Sequence, residues 1–278
     1  MKIIINIFKF IAMALIVLCL TFLGIKNIAF STILDKEYII KKLEETNFYS
    51  ETYKLVESSF ENYIDQSGLE EVVLKNICTE DKVKRDINII LSNIYDGKQE
   101  EIDITEISNK LNSNIDAQNV RTTKNSEAID EFVKHICQAY KDTIISTKYD
   151  KTINNKYEQI VKIMGQVEKI VITVLIINAI LLILLNIKNI IQILLNIQTI
   201  ALATTVIQFI IPGIIKSNVN ISGIKVFNEA FSNSVVVIIK DILTQINKVG
   251  ITFLIIYIIS VIIYSIIIFC KKTCVKEI

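Results

Sequence analysis

The sequence predicts an all-α integral membrane protein, with four transmembrane helices and an extracytoplasmic α-helical domain. Three observations predict it. Apolar residues make up 51% of the 278 residues, and with a mean hydropathy of +0.47 they gather in blocks long enough to cross a bilayer. Chain breakers are scarce, with one Pro and seven Gly, which favours long helices. Between the blocks, apolar residues recur at i, i+3 and i+4, and no β-type alternation is sustained.

A hydrocarbon core about 30 Å thick needs about 20 apolar residues in a helix. The first segment that qualifies is "FIAMALIVLCLTFLGI", Phe10 to Ile25. It is extended upstream by "IIINIF", with Lys9 able to snorkel. Residues 1–31 are therefore read as a transmembrane helix acting as a signal anchor. The competing reading is a cleaved signal peptide ending at "AFS", Ala29 to Ser31. Against cleavage, the apolar region is long for a signal and Lys26 interrupts it.

Residues 32–168 read as an extracytoplasmic α-helical domain. Tyr53, Val56, Phe60, Tyr63 and Ile64 form one helical stripe. After "SGL" at Ser67–Leu69, a further helix is expected over about Glu70 to Ile77. Val83, Ile87, Ile90 and Ile94 form the next stripe, ended by Asp96–Gly97. Ile104, Ile107, Leu111 and Ile115 form another, and Ile129, Phe132, Val133, Ile136, Tyr140 and Ile144 the last. Such helices can bury a small core against one another. From about Lys151 a polar helix is expected to run without a break into the membrane.

The block from Lys169 to Lys216 is too long for one crossing and holds "NIKN", Asn186 to Asn189, near its middle. Residues 169–215 are read as a transmembrane hairpin with that turn. Residues 216–248 are read as an extracytoplasmic amphipathic segment, lying on the membrane or packed under the outer domain. Residues 249–278 are read as the fourth transmembrane helix with a short cytoplasmic tail.

Lys2, Lys9, Lys188, Lys271 and Lys272 flank the apolar blocks and place both termini in the cytoplasm of a plasma-membrane protein. The outer stretch Lys26–Glu168 is acidic, with 19 Lys/Arg against 26 Asp/Glu. The formal net charge of +1 leaves no basic excess for nucleic acid.

Catalytic signatures are thin. The single histidine, His135, falls between the apolar positions of its helix and reads as a solvated residue. The run "DGKQEEIDITE" gathers Asp96, Glu100, Glu101, Asp103 and Glu106 without calcium-loop spacing, and reads as an acidic turn. No cofactor is expected, and the chain is read as non-enzymatic. Cys78 and Cys137 are a candidate disulfide, the alternative being two separate buried thiols. The most informative polar feature is a seam in the apolar blocks: Asn178, Asn189, Gln192, Asn196 and Thr199. Asn189, Gln192, Asn196 and Thr199 share about a quarter of a helix circumference, and Asn178 sits at similar depth on the preceding helix. Polar groups in hydrocarbon face other helices, so the seam is read as interhelical packing, with Asn178 bonding to it. The competing reading is a hydrophilic path, which an ionisable group would usually mark.

The stretch "NFYSETYKLVESSFENYIDQSGLEEVVLKNICTEDKVKRDINIILSNIYDGKQEEIDITEISNKLNSNID" (Asn47–Asp116), with the layout around it, resembles uncharacterised four-pass membrane proteins of clostridia and related low-GC Firmicutes. That resemblance implies placement in a membrane and no assigned activity. The layout also resembles the permease subunits of the cell-division and macrolide-export type of ABC transporter. Those subunits have larger cytoplasmic elements and a β-rich outer domain. The function read from the chain is therefore a scaffold, sensor or accessory subunit, whose partners are the lipid bilayer and a membrane or cell-surface protein. The alternative is a mechanical or transport subunit working with a cytoplasmic ATPase.

Overall fold

The computed structural model describes residues 2–144, 151–187, 189–225 and 228–276. Lys188, and the side chains of Lys2, Lys271 and Lys272, lie outside the described residues. Among the described residues the chain is helix and turn, with no strand. The helices are α1 (Lys2–Phe30), α2 (Lys36–Glu45), α3 (Phe48–Ser67), α4 (Glu80–Tyr95), α5 (Thr105–Ala117), α6 (Ser126–Ile144), α7 (Lys151–Asn186), α8 (Ile190–Asn218) and α9 (Glu229–Lys276). Four of them, α1, α7, α8 and α9, are long and apolar enough to cross a membrane.

The chain divides into two compact units. An apolar unit comprises residues 1–34, 160–224 and 238–278, and a polar unit comprises residues 35–159 and 225–237. The turns of α9 between Glu229 and Val237 thus belong with the polar unit, where Ala230 and Phe231 join its core.

In the polar unit α2 and α4 begin where the sequence supplies a side-chain cap. Asp35 Oδ1 accepts from the Glu37 and Tyr38 amides, and the Thr79 hydroxyl accepts from Lys82 N. Gly68, with φ of 70°, closes α3 in the left-handed conformation that a Cβ disfavours. The stripes read from periodicity converge on one core. Val56, Val83, Ile107, Leu111, Ile115, Ile136 and Tyr140 are fully buried there. Each such side chain contributes roughly 1.5–3 kcal/mol on leaving water. The helix expected over Glu70–Ile77 is instead a single 3₁₀ turn, Glu71–Leu74. Val72 and Val73 are β-branched and resist helix, and Asn76 takes a left-handed φ of 59° that ends it.

In the apolar unit α1 packs against α8, and Ala12 and Ile16 of α1 meet Leu182 of α7. Two polar clasps join α1 to α7: Lys9 Nζ to Asn186 Oδ1 at 2.6 Å, and Lys26 Nζ to Glu168 Oε1 at 2.9 Å. The clasps are 17 residues apart on α1 and 18 on α7, so the helices run antiparallel, with about 26 Å of apolar helix between clasps. That span approaches the thickness of a bilayer's hydrocarbon core. Outward-facing Ile170, Ile176, Ile180, Ile214, Ile259 and Ile266 remain exposed, as lipid-facing side chains would be.

The turn between α7 and α8 falls at the expected Asn186–Asn189. The boundary expected at residue 248 is not a break: α9 is one helix of 48 residues passing through it. No proline interrupts it, and Gly250 does not end it: the helix passes Gln208 there so closely that a Cβ on Gly250 would lie 3.2 Å from Gln208 Cβ.

Candidate functional site

Two groups of buried polar side chains, one in each unit, carry what chemistry the structure concentrates. In the apolar unit the seam is only partly enclosed. Asn196 is buried, and its Oδ1 accepts from Gln192 Nε2 at 3.3 Å. Asn189 is exposed and caps α8 by accepting from Gln192 N. Thr199 is exposed and donates to the Leu195 carbonyl. Asn178 is buried on α7, but its amide donates to Val174 O of its own turn at 2.8 Å. The structure thus brings Gln192 and Asn196 together and gives Asn178 a local partner in place of the seam. Bonding back to the carbonyl four residues earlier satisfies a polar group in an apolar setting without a second helix.

The larger enclosed polar face lies elsewhere on α8, roughly opposite the seam at 100° per residue. It carries Thr204, Thr205, Gln208 and Pro212, all buried. Thr205 donates to Ala201 O at 2.9 Å and approaches Gly250 O of α9 at 3.4 Å. Deeper in the unit, Gln198 Nε2 donates to Ser260 O of α9 at 3.1 Å. Gln208 is 0% exposed, and neither atom of its amide has a hydrogen-bond partner among the described residues; nor does the Thr21 hydroxyl of α1. Pro212, four residues on, has no N–H to offer the Gln208 carbonyl. Two glycines admit the side chain. A Cβ on Gly24 would lie 3.1 Å from Gln208 Nε2, and one on Gly250 would lie 3.2 Å from Gln208 Cβ. Small residues at such crossings let helix backbones approach closely. Periodicity in the sequence hides this face because Thr204 and Thr205 read as lipid-compatible and Gln208 as an isolated polar residue.

The polar unit holds a charged cluster at its centre. Lys82 and Asp86, one turn apart on α4, are each about 4% exposed in their side chains. Lys82 Nζ lies 3.2 Å from Asp86 Oδ2 and donates to the Asp103 carbonyl at 2.7 Å. Tyr140 of α6 donates to the same Asp86 oxygen at 2.5 Å. Burial and the neighbouring carboxylate push the Tyr140 hydroxyl far above its ordinary range. A closed group of this kind binds helices together. In sequence the Lys82–Asp86 spacing looks like an ordinary surface pair.

Cys78 and Cys137 are both buried and free. Burial raises the Cys78 thiol to about 12 and also raises Cys137, so neither is poised as a nucleophile. His135 is exposed and stacks on the Tyr63 ring at 6.2 Å. The acidic run is engaged structurally. Asp96 pairs with Lys36, Asp103 Oδ1 accepts from the Thr105 amide, and Glu106 pairs with Arg85 and Lys110. Among the described residues no group of three His, Cys, Asp or Glu is placed to hold a metal ion.

Comparison with protein-family models, with curated proteins and with solved structures gives no match. The four apolar helices, with their exposed aliphatic faces, have the build of a multi-pass membrane protein.

Proposed function

We propose that the chain is a plasma-membrane protein with both termini in the cytoplasm and its polar unit outside, working without catalysis. The polar unit engages a membrane or cell-surface protein, and the whole acts as a scaffold, sensor or accessory subunit. The observation that carries this reading is the closed core of the polar unit. Its buried Lys82–Asp86–Tyr140 cluster and continuous apolar centre spend its chemistry on holding shape. A fixed helical surface, tethered to lipid-facing helices, is suited to recognition. The orientation is supported by Lys2, Lys9, Lys188, Lys271 and Lys272.

Reporter fusions test the placement. One reporter after Ile278 and one inserted after Gln118, in the exposed loop following α5, are expected on opposite sides of the membrane, the first cytoplasmic. A reporter after Ile278 that is active only outside the cell overturns the orientation. Purification in mild detergent tests the mode of action. Co-purification of a cytoplasmic ATPase in stoichiometric amount would replace this reading with a transport or mechanical subunit.

A further inference from the structure

At one end of the apolar unit the lysines are arranged in two tiers. The Lys26–Glu168 contact and the approach of Gly24 to Gln208 and Val249 put these positions of α1, α7, α8 and α9 in one layer. Lys169 and Lys248 sit beside that layer, with Lys26. Lys162, Lys216 and Lys240 lie six, eight and nine residues further out along their helices, a rise of about 9–14 Å. Lys162, Lys169, Lys216, Lys240 and Lys248 are exposed, and none makes an ion pair among the described residues. Against these six lysines the same helix ends carry two carboxylates, Glu168 and Asp241, and Glu168 is held by Lys26.

We propose that this collar binds the anionic phospholipid headgroups of the leaflet it faces. The inner tier lies at the edge of the apolar span. A headgroup region adds roughly 5–8 Å on each side of the hydrocarbon core, so the outer tier can fold its ammonium groups back onto phosphates. Lysines near an anionic surface each add on the order of 1 kcal/mol of attraction, and within a Debye length their effects combine. The collar offers this on whichever side of the membrane it lies. The proposal does not depend on which side of the membrane the termini occupy. The polar unit, by contrast, is acidic over residues 35–159.

The chain has no Trp, so an introduced one reports without background. Ile214, 56% exposed and two residues before Lys216, is the site for Ile214→Trp in the full chain. The variant is reconstituted in vesicles of phosphatidylcholine containing either acyl-brominated phosphatidylglycerol or acyl-brominated phosphatidylcholine at equal fraction. Quenching by the anionic lipid is expected to exceed that by the zwitterionic lipid by about threefold or more at low salt. The ratio is expected to fall toward one when Lys162→Gln, Lys216→Gln and Lys240→Gln are combined. Free inorganic phosphate at millimolar concentration is expected to leave it unchanged. Equal quenching by the two lipids overturns the proposal while leaving the membrane insertion intact. So does a ratio that survives the triple change, or one that phosphate abolishes.

Discussion

The Tyr140 hydroxyl donates to Asp86 Oδ2 at 2.5 Å, with both side chains closed off from solvent. Lys82 reaches the same oxygen, so a single carboxylate ties α6 to α4 and neutralises a buried ammonium. Asp86→Ala leaves that ammonium without a counter-ion and is expected to lower stability by about 3–5 kcal/mol. Tyr140→Phe removes one donor and costs about 1–2 kcal/mol. The pair Lys82→Met with Asp86→Leu removes both charges and is expected to cost less than Asp86→Ala alone. Denaturant melts of the full chain in detergent, followed by circular dichroism, rank the three. An Asp86→Ala melt superimposable on the parent would show that the cluster is hydrated in solution.

Alkaline pH acts on the same core. Burial raises the Cys78 thiol from 9.0 to about 12, and Tyr49 and Tyr95 from 10.0 to about 12. In each case the folded chain holds the proton more tightly than the unfolded chain does. Their contribution is therefore complete below about pH 9 and is lost as pH rises toward 12. The denaturation midpoint is expected to hold from pH 7 to 9 and then to fall, the thiol acting first. Cys78→Ala should lower the plateau and flatten the decline between pH 9 and 10. A decline of equal steepness there in parent and variant removes Cys78 as its cause.

What the sequence made legible was whatever repeats. The helical stripes of the polar unit and the four apolar blocks follow from period and length, and both appear in the structure. What stayed hidden depends on partners far along the chain. Lys82 and Asp86 look solvated until Tyr140 and the Asp103 carbonyl close over them. The polar seam was located by sharing a face of α8, yet Asn189 and Thr199 of that face are exposed. The fully enclosed amide belongs to Gln208, which is admitted by Gly24 and Gly250 of two other helices. A face can be read from one helix, but which face a neighbour covers cannot.

The separate partners of Asn178 and Asn196 set a further expectation. Asn178 donates to Val174 O and Asn196 accepts from Gln192, each within its own helix. A double-mutant cycle with Asn178→Leu and Asn196→Leu is therefore expected to give a coupling below about 0.3 kcal/mol. A coupling of about 0.6 kcal/mol or more, the usual worth of an interhelical bond in a membrane, would mean that the two side chains bond across α7 and α8.

The Gln208 amide makes the sharpest claim about the apolar unit. A buried amide without partners costs about 1–3 kcal/mol, and an apolar side chain of similar volume removes that cost. Gln208→Leu is accordingly expected to raise the thermal midpoint in detergent. Gly24→Ala is expected to lower it, because its methyl would stand 3.1 Å from Gln208 Nε2 and 3.2 Å from Val249 Cγ1, so both side chains would have to give way. The two effects share one cause if Gln208 does the crowding. Shortening it by Gln208→Ala should then reduce the cost of Gly24→Ala, leaving only the Val249 contact. If Gly24→Ala costs the same in both backgrounds, Val249 sets the limit. If Gln208→Leu lowers the midpoint, the amide has a partner, and an ordered water between it and the Thr21 hydroxyl is the simplest candidate.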